Sequence, residues 1–563
     1  MAEQKQQPLE LRFSGAMNNL NGLLDLYLRK KAEVPIMVNA DLTSPGKLKL
    51  LRPLVALNSI AGTDIHSLCV ANSTVFAVDG VGLKYGNSLT ALGTLSVSDK
   101  LSWAQVGNWL FLGNGSDKKA IYIPTPVMTM WGIAIPTVAP TVTDSTSAGN
   151  PDGTYQCYYR YRITLPDGTL ILTALSPVGS VTVVTNKISW AVPAYPTFTG
   201  ATSVHVDLFR TSTSIAGTYL VTTLTGATTY TDDLTDAALQ LLTAYAETGN
   251  HPPPDDPEIV YYYPAADRLF CTVGGDAYWS EAGMYHVFLY SATAAEYANV
   301  NSVFLGQEHC TAVRRIDENL YFGSKRTWRR LRGRTPANWS WEDTSATVGP
   351  INQASSCETP WGILHPSIDG KMWIFNGISS RRILEEFVFL TVPDVDSHAT
   401  FDGRFYRLFY GDTTYPSLVV DFLKYPENPP RIVQSTQSMT ASFYDKSTGK
   451  LYLADSFYIR NGIDTTTDVT LMFKTPNINL ADLTTYGQMG NLTARVNTGG
   501  DDLTIRQYLD DALLTTLNAV NNLALQYEDV PLSFGEGRTM ALDVTITSHE
   551  DVTIEEPWIL TKE

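Results

Sequence analysis

A short aromatic strand that recurs along the chain constrains the fold more than any other feature. Its copies, usually entered through Asn, Asp or Gly, begin with Asn72-Ser73-Thr74-Val75-Phe76, Asn108-Trp109-Leu110-Phe111-Leu112-Gly113 and Asp267-Arg268-Leu269-Phe270. Further copies are Asn319-Leu320-Tyr321-Phe322-Gly323, Gly370-Lys371-Met372-Trp373-Ile374, Gly403-Arg404-Phe405-Tyr406 and Gly449-Lys450-Leu451-Tyr452-Leu453-Ala454. The central aromatics stand at 76, 111, 270, 321, 373, 406 and 452, and apart from one large gap the intervals are 35, 51, 52, 33 and 46 residues. A four-stranded propeller blade takes about 40–50 residues. One blade cannot bury both its faces, so copies stack radially and leave only short edges. The spacing predicts an all-β chain built on a β-propeller of about seven blades, with six or eight left open by the two shortest intervals.

The gap between Phe111 and Phe270 requires an insertion. It begins after Ile135-Pro136-Thr137-Val138-Ala139-Pro140 and closes at His251-Pro252-Pro253-Pro254-Asp255-Asp256-Pro257, expected to be a stiff polar linker. Between them lie alternating runs, Tyr155 to Ile163, Ser180 to Val184 and Val204 to Arg210, with a Pro166-Asp167-Gly168-Thr169 turn. Short strands at this spacing predict a β-sandwich similar to a fibronectin type III domain. The expected organisation is an N-terminal segment (1–54) leading into the first blade, an initial propeller segment (55–136) and the inserted sandwich (137–250). The remainder of the propeller (258–463) and a separate C-terminal β domain (464–563) follow. One helix is expected near Asn19 to Lys31, where Leu20, Leu23, Leu24, Tyr27 and Leu28 have helical spacing around Gly22.

Composition narrows the function. Charged residues are only 17% of the 563 and the net charge is −17, the opposite of a protein that grips phosphates. An acidic surface suits solubility, or a wall along which DNA passes without sticking. The five cysteines, Cys69, Cys157, Cys271, Cys310 and Cys357, are scattered. They predict neither a disulfide framework nor a zinc site, and suit assembly in a reducing cytoplasm. No signal peptide or bilayer-spanning apolar run is read, so a soluble protein is expected.

Candidate chemistry is sparse. Ser367-Ile368-Asp369-Gly370-Lys371-Met372-Trp373 is similar to the Asp-box turn of sialidases but one residue short between Asp and Trp, and an ordinary blade hairpin is expected there. No GxSxG elbow, HExxH pair or Walker loop occurs, and Gly80-Val81-Gly82-Leu83-Lys84-Tyr85-Gly86 misses the GxGxxG spacing. The eight histidines are dispersed. Asp394-Val395-Asp396-Ser397-His398 offers oxygens to calcium but lacks the remaining positions of an EF-type loop, and a solvated loop is expected. No catalytic residue, metal or cofactor is assigned.

One segment departs from the acidic background. Lys325, Arg326, Arg329, Arg330, Arg332 and Arg334 crowd around Trp328, with Trp339 and Trp341 close behind. Two readings stay open: a solvated hairpin face, or a contact patch for an acidic neighbouring subunit or DNA phosphate, since exposed Arg with Trp is a hot-spot composition.

The opening of the chain carries a resemblance. Asn39-Ala40-Asp41, Gly46-Lys47-Leu48 and Arg52-Pro53 resemble the start of tail hub or nozzle (tail tubular) proteins of short-tailed bacteriophages, which runs Asn-x-Asp, a glycine turn, then Arg-Pro-Gly. Here Leu54 replaces the last glycine. The resemblance implies a non-enzymatic virion protein, a homo-oligomeric ring of usually six subunits below the portal and adaptor. Such a ring conducts and retains double-stranded DNA without reading its sequence, and offers its flank to tail fibres or spikes. The alternatives are a propeller-type carbohydrate-active enzyme and a carbohydrate-binding adhesin using Trp339 and Trp341.

Overall fold

The computed structural model of the chain describes residues 9–11, 16–17, 33–34, 36–41, 47–57, 61–245, 251–288, 302–304, 308–384, 387, 389, 391–423, 425–427, 430–475, 478–479, 489–532 and 539–562. The helix expected near Asn19 lies outside the described residues. Within them the protein is all-β: one short helix, Asp236–Leu239, and one 3-10 turn, Pro336–Asn338, accompany the strands.

The strands fall into many small antiparallel sheets. Sheet 1 holds Ile65–Ala71, Thr74–Asp79, Gly82–Tyr85 and Thr90–Thr94; sheet 2 holds Ser102–Val106, Trp109–Gly113, Lys118–Tyr122 and Val127–Met130. Sheet 3 holds Ile259–Tyr263, Arg268–Val273, Asp276–Glu281 and Met284–Phe288, with Ser302–Phe304 added to its third strand. Sheet 4 holds Ala312–Ile316, Asn319–Gly323, Trp328–Arg332 and Ser340–Asp343; sheet 5 holds Cys357–Thr359, Gly362–Pro366, Met372–Phe375 and Ser380–Arg382. Sheet 6 holds His398–Phe401, Phe405–Phe409, Ser417–Asp421 and Arg431–Ser435. Sheet 7 joins Ala441–Asp445, Lys450–Ala454 and Ile459–Ile463 to Leu54–Ala56, a strand from the other end of the chain.

The repeated motif marks these sheets for a local reason. Its entering residues make the hairpin turns: φ is +47° at Asn72, +52° at Asp267 and +68° at Gly449, conformations that Asn, Asp and Gly tolerate. Six of the seven central aromatics occupy the second strand of their sheet; Trp373 sits in the third strand of sheet 5. Taking Leu364 of the second strand instead gives intervals of 43 and 42 residues to Tyr321 and Tyr406, which explains the uneven 52 and 33. Apolar contacts lie between consecutive sheets: Phe76, Val78 and Leu110 join sheets 1 and 2, and Phe270, Trp279, Phe322 and Leu331 join sheets 3 and 4.

Between sheets 2 and 3, a three-stranded sheet (Thr141–Ala148, Asn186–Ala191, Thr229–Asp232) shares a core with a five-stranded one built around Gly153–Thr164 and Ser203–Thr211. Tyr155, Tyr159, Ile188, Trp190, Val206 and Leu208 fill that core. The segment His251–Pro257 is docked rather than free. His251 exchanges backbone hydrogen bonds with Phe288 at 3.0 and 2.9 Å, the Gly115 N–H donates to the Pro257 carbonyl at 2.9 Å, and Pro253, Pro254 and Pro257 are buried.

The two ends of the chain depart from the expected boundaries. Residues 36–41 and 47–50 do not merely lead into the first sheet. Lys47–Leu50 pairs with Thr553–Lys562, while Ile36–Val38 pairs with Val469–Lys474 and touches Arg431–Ser435 of sheet 6. The C-terminal strands therefore continue sheet 6 into a ten-stranded sheet instead of standing apart. A second sheet, containing Met489–Asn497 and Thr553–Lys562, covers it through Leu471, Phe473, Leu492, Val544, Ile554 and Trp558. Local periodicity shows that these strands exist, but pairing across the chain is not a local property.

Candidate functional site

The basic cluster forms the third strand of sheet 4 and the turns beside it. Its register against Ser340–Asp343 sets Arg329 opposite Asp343 and Arg330 opposite Glu342, so each guanidinium meets a cross-strand carboxylate. Arg329 Nε lies 2.7 Å from Asp343 Oδ1, and Arg330 pairs with Glu342, whose carboxyl is held below its usual range by that hydrogen bond. Arg326 reaches Glu308 at 3.2 Å and Arg334 pairs with Glu318. Lys325 and Arg332 are exposed. Much of the positive charge is thus matched within the same molecule.

The three tryptophans pack between or within the sheets to different depths. Trp328 is 0% exposed and stacks on Phe375, with centroids 5.1 Å apart and planes 7° apart. Trp339 is half-buried against Phe270 and Trp279, under Arg268, and Trp341 is half-buried on Phe322. These rings fill the contacts between sheets 3, 4 and 5. For Trp328 this corrects the expectation of a contact residue: alternation places Trp328 on the face of the strand turned to sheet 5. Local sequence did not say which face that was.

The sequence pointed to no second site, yet the first strands of all seven sheets border one cavity of about 680 Å³. Among its lining residues are Lys100, Glu258, Arg314, Glu358, His398 and Ser442. Most of its polar groups are spent on the frame. Ser102 Oγ donates to the Val260 carbonyl at 3.2 Å and accepts its N–H at 2.9 Å. Arg314 donates to the Ser356 carbonyl at 3.0 Å, and Glu358 accepts from the Tyr261 hydroxyl at 2.5 Å and the Arg315 N–H at 3.0 Å. The Ala399 N–H donates to the Ala354 carbonyl at 2.9 Å and Thr440 Oγ1 to the Ile65 carbonyl, so the links run back to sheet 1. A signal for this cavity was available: six of the seven lining strands directly precede an aromatic copy of the repeat, and in sheet 5 one strand, Gly362–Pro366, comes between.

Burial shifts several of these groups toward their neutral forms. Burial pushes the thiols of Cys310 and Cys357 up to about 12, away from the thiolate. Burial lowers the Lys100 ammonium, which donates to the Asp396 carbonyl, and holds His398 well below its usual range. The loop weighed as a calcium site is closed on donors: Asn352 Nδ2 donates to the Val395 and Ser397 carbonyls at 2.7 Å each, and Asp394 Oδ1 accepts the Asp396 N–H at 2.9 Å. Among the described residues no three His, Cys, Asp or Glu side chains are grouped to hold a metal, and no helix is long and apolar enough to cross a membrane. At the Asp-box-like turn, the Trp373 indole donates to Asp369 at 3.2 Å within a hairpin joining two strands of sheet 5.

No family model matches the chain, and no curated protein matches it. Among solved structures it is similar to the extracellular domain of the putative hybrid two component system BT4673 from B. thetaiotaomicron, at 10% identity and a TM-score of 0.23, covering 92% of this chain and 85% of that one. It is also similar to dihydro-heme d1 dehydrogenase NirN, at 10% identity and a TM-score of 0.29, covering 74% and 79%. A third is the exo-beta-1,3-galactanase of Phanerochaete chrysosporium, at 7% identity and a TM-score of 0.17, covering 82% and 95%. Likeness at this level assigns no activity.

Proposed function

We propose that this chain is a structural, non-enzymatic virion protein, a subunit of the tail nozzle or hub ring of a short-tailed bacteriophage. On this reading the seven sheets are the blades of one β-propeller, with Leu54–Ala56 closing the last blade, and the inserted pair of sheets is a fibronectin III-like sandwich. The observation that carries the proposal is the setting of the resembling N-terminal segment. Asn39, 1% exposed, bonds to Thr436 beside sheet 6 and donates to the Thr470 carbonyl at 2.9 Å, while Arg52 donates to Asp551 at 2.9 Å. The residues of the Asn-x-Asp and Arg-Pro motifs thus join the repeated sheets to the C-terminal strands. An architectural role is what a short motif needs if it is to recur without chemistry.

A net charge of −17 supports a conduit rather than a grip. Each neutralised phosphate adds affinity and friction, whereas an acidic wall keeps a duplex centred and mobile. The subunits form a homo-oligomeric ring, with six copies expected, between portal or adaptor and fibres or spikes. Particle imaging of the purified protein, with its solution mass, tests this: rings with an open centre are expected. A chain that stays monomeric at every concentration and hydrolyses an oligosaccharide, with turnover lost on substitution of one Asp or Glu, would overturn it.

A further inference from the structure

The strand Ala512–Val520 ends the ten-stranded sheet, and among the described residues no strand pairs with its outer side. Beside it, Gln526–Pro531 ends the covering sheet. The run from Ala512 to Tyr527 contains no charged residue and no proline, in a chain where 17% of residues are charged. Leu513, Leu514, Leu523 and Tyr527 are 54, 38, 84 and 68% exposed there. Open edges are ordinarily protected by Lys, Pro or a covering element. This one is long, neutral and apolar.

We infer that this edge is an interface for a second copy of the chain, paired antiparallel through Ala512–Val520. Charge selects both the partner and the direction. The uncharged run is flanked by Asp510 and Asp511 on one side and Glu528 and Asp529 on the other. A chain carrying −17 repels its own copies, so self-association is cheapest where charge is missing. Parallel pairing would set Asp510 and Asp511 beside their own equivalents, which is destabilising. An antiparallel pair centred on Thr516 sets Asp511 opposite the exposed, neutral amide Asn521 of the second copy. Such a contact is isologous and closes on a twofold axis. It is independent of the ring reading, since a ring of identical subunits needs a different, head-to-tail contact.

The test is solution mass by light scattering, for wild type and for the double variant Leu513→Lys, Leu514→Lys, which places two charges on an exposed edge. The wild type is expected at an even number of 61.9 kDa chains, and the variant at half that mass with an unchanged melting curve. Thr516→Lys, on the axis, gives the same halving and guards against a folding defect in the first variant. A wild type that is monomeric at 100-fold dilution and at full concentration alike would overturn the inference, assigning the edge to a foreign strand. So would variants that keep the wild-type mass. If that unchanged mass belonged to a ring, the ring reading would stand and only the edge contact would fall.

Discussion

Asn39 and Thr436 hold each other by two reciprocal hydrogen bonds: Asn39 Nδ2 donates to Thr436 Oγ1 at 3.0 Å, and the Thr436 N–H donates to Asn39 Oδ1 at 3.0 Å. They are 397 residues apart in sequence, and Asn39 adopts φ +52° to make the contact. A buried amide so placed satisfies three polar groups of two other segments. Asn39→Ala is therefore expected to destabilise the chain by about 2–4 kcal/mol, since each buried group left unpaired costs about 1–3 kcal/mol. Chemical denaturation measures it, and a loss below about 0.5 kcal/mol, the level of a neutral surface change, would contradict the role given to Asn39.

The inserted pair of sheets has its own buried lock. Arg210, 0% exposed, meets Asp232 at 2.6 Å and Asp236 at 2.9 Å, and its guanidinium lies 4.5 Å from the Tyr155 ring centroid. Removing one partner strands a buried carboxylate, at a cost of about 3–5 kcal/mol. Arg210→Met should raise amide hydrogen exchange throughout residues 153–232 while leaving sheets 4 to 7 protected. Uniform exchange across the chain would show that the inserted sheets are not a separate unit of stability.

Acid should weaken the fold well before carboxylates titrate. Burial lowers His286 and His365 to about 4 in the folded chain, against about 6.5 when unfolded. The folded state then binds fewer protons, so stability is present above pH 6.5 and is lost as pH falls from about 6.5 toward 4. The slope is about 1.4 kcal/mol per pH unit for each histidine. His286 packs between Trp109 and Phe111, with centroids 4.9 and 5.1 Å away, so His286→Phe keeps an aromatic ring in that contact while removing the titrating group. That variant should lose one histidine's share of the slope in denaturation curves taken between pH 4 and 7. An unchanged slope would mean that His286 is not neutral and buried.

The basic strand separates two kinds of residue. Neutralising Arg329, Arg330 and Arg332 to Gln should leave the chain folded, because exposed ion pairs contribute at most about 1 kcal/mol each. Trp328→Ala should cost about 3–5 kcal/mol by opening the contact between sheets 4 and 5. If the proposed ring forms through this cluster, the triple variant is expected to weaken its assembly; Lys325, Arg326, Arg332 and Arg334 are the exposed cations there. Normal assembly with loss of packaged DNA would instead make the cluster a DNA clamp.

Much of the all-β architecture was legible in the sequence. Turn residues at Asn72, Asp267 and Gly449, followed by apolar alternation, specify hairpins through local backbone preference, and the single oversized gap located the inserted pair of sheets. Trp373 shows the limit: the motif identifies a strand but not its rank within a sheet. The basic cluster was equally visible as a cluster, yet its pairing with Asp343 and Glu342 depended on cross-strand register, and the burial of Trp328 on which face sheet 5 covers.

Tertiary structure alone decided the rest. The pairing of Lys47–Leu50 with Thr553–Lys562, the extension of sheet 6 into the C-terminal strands and the cavity bordered by seven first strands all join residues hundreds of positions apart. No local pattern encodes such contacts, because a strand's alternation states only that one face is buried and the other is not. What buries it is settled when the whole chain closes, where one edge meets Asn39 and another, at Ala512–Val520, is left open among the described residues.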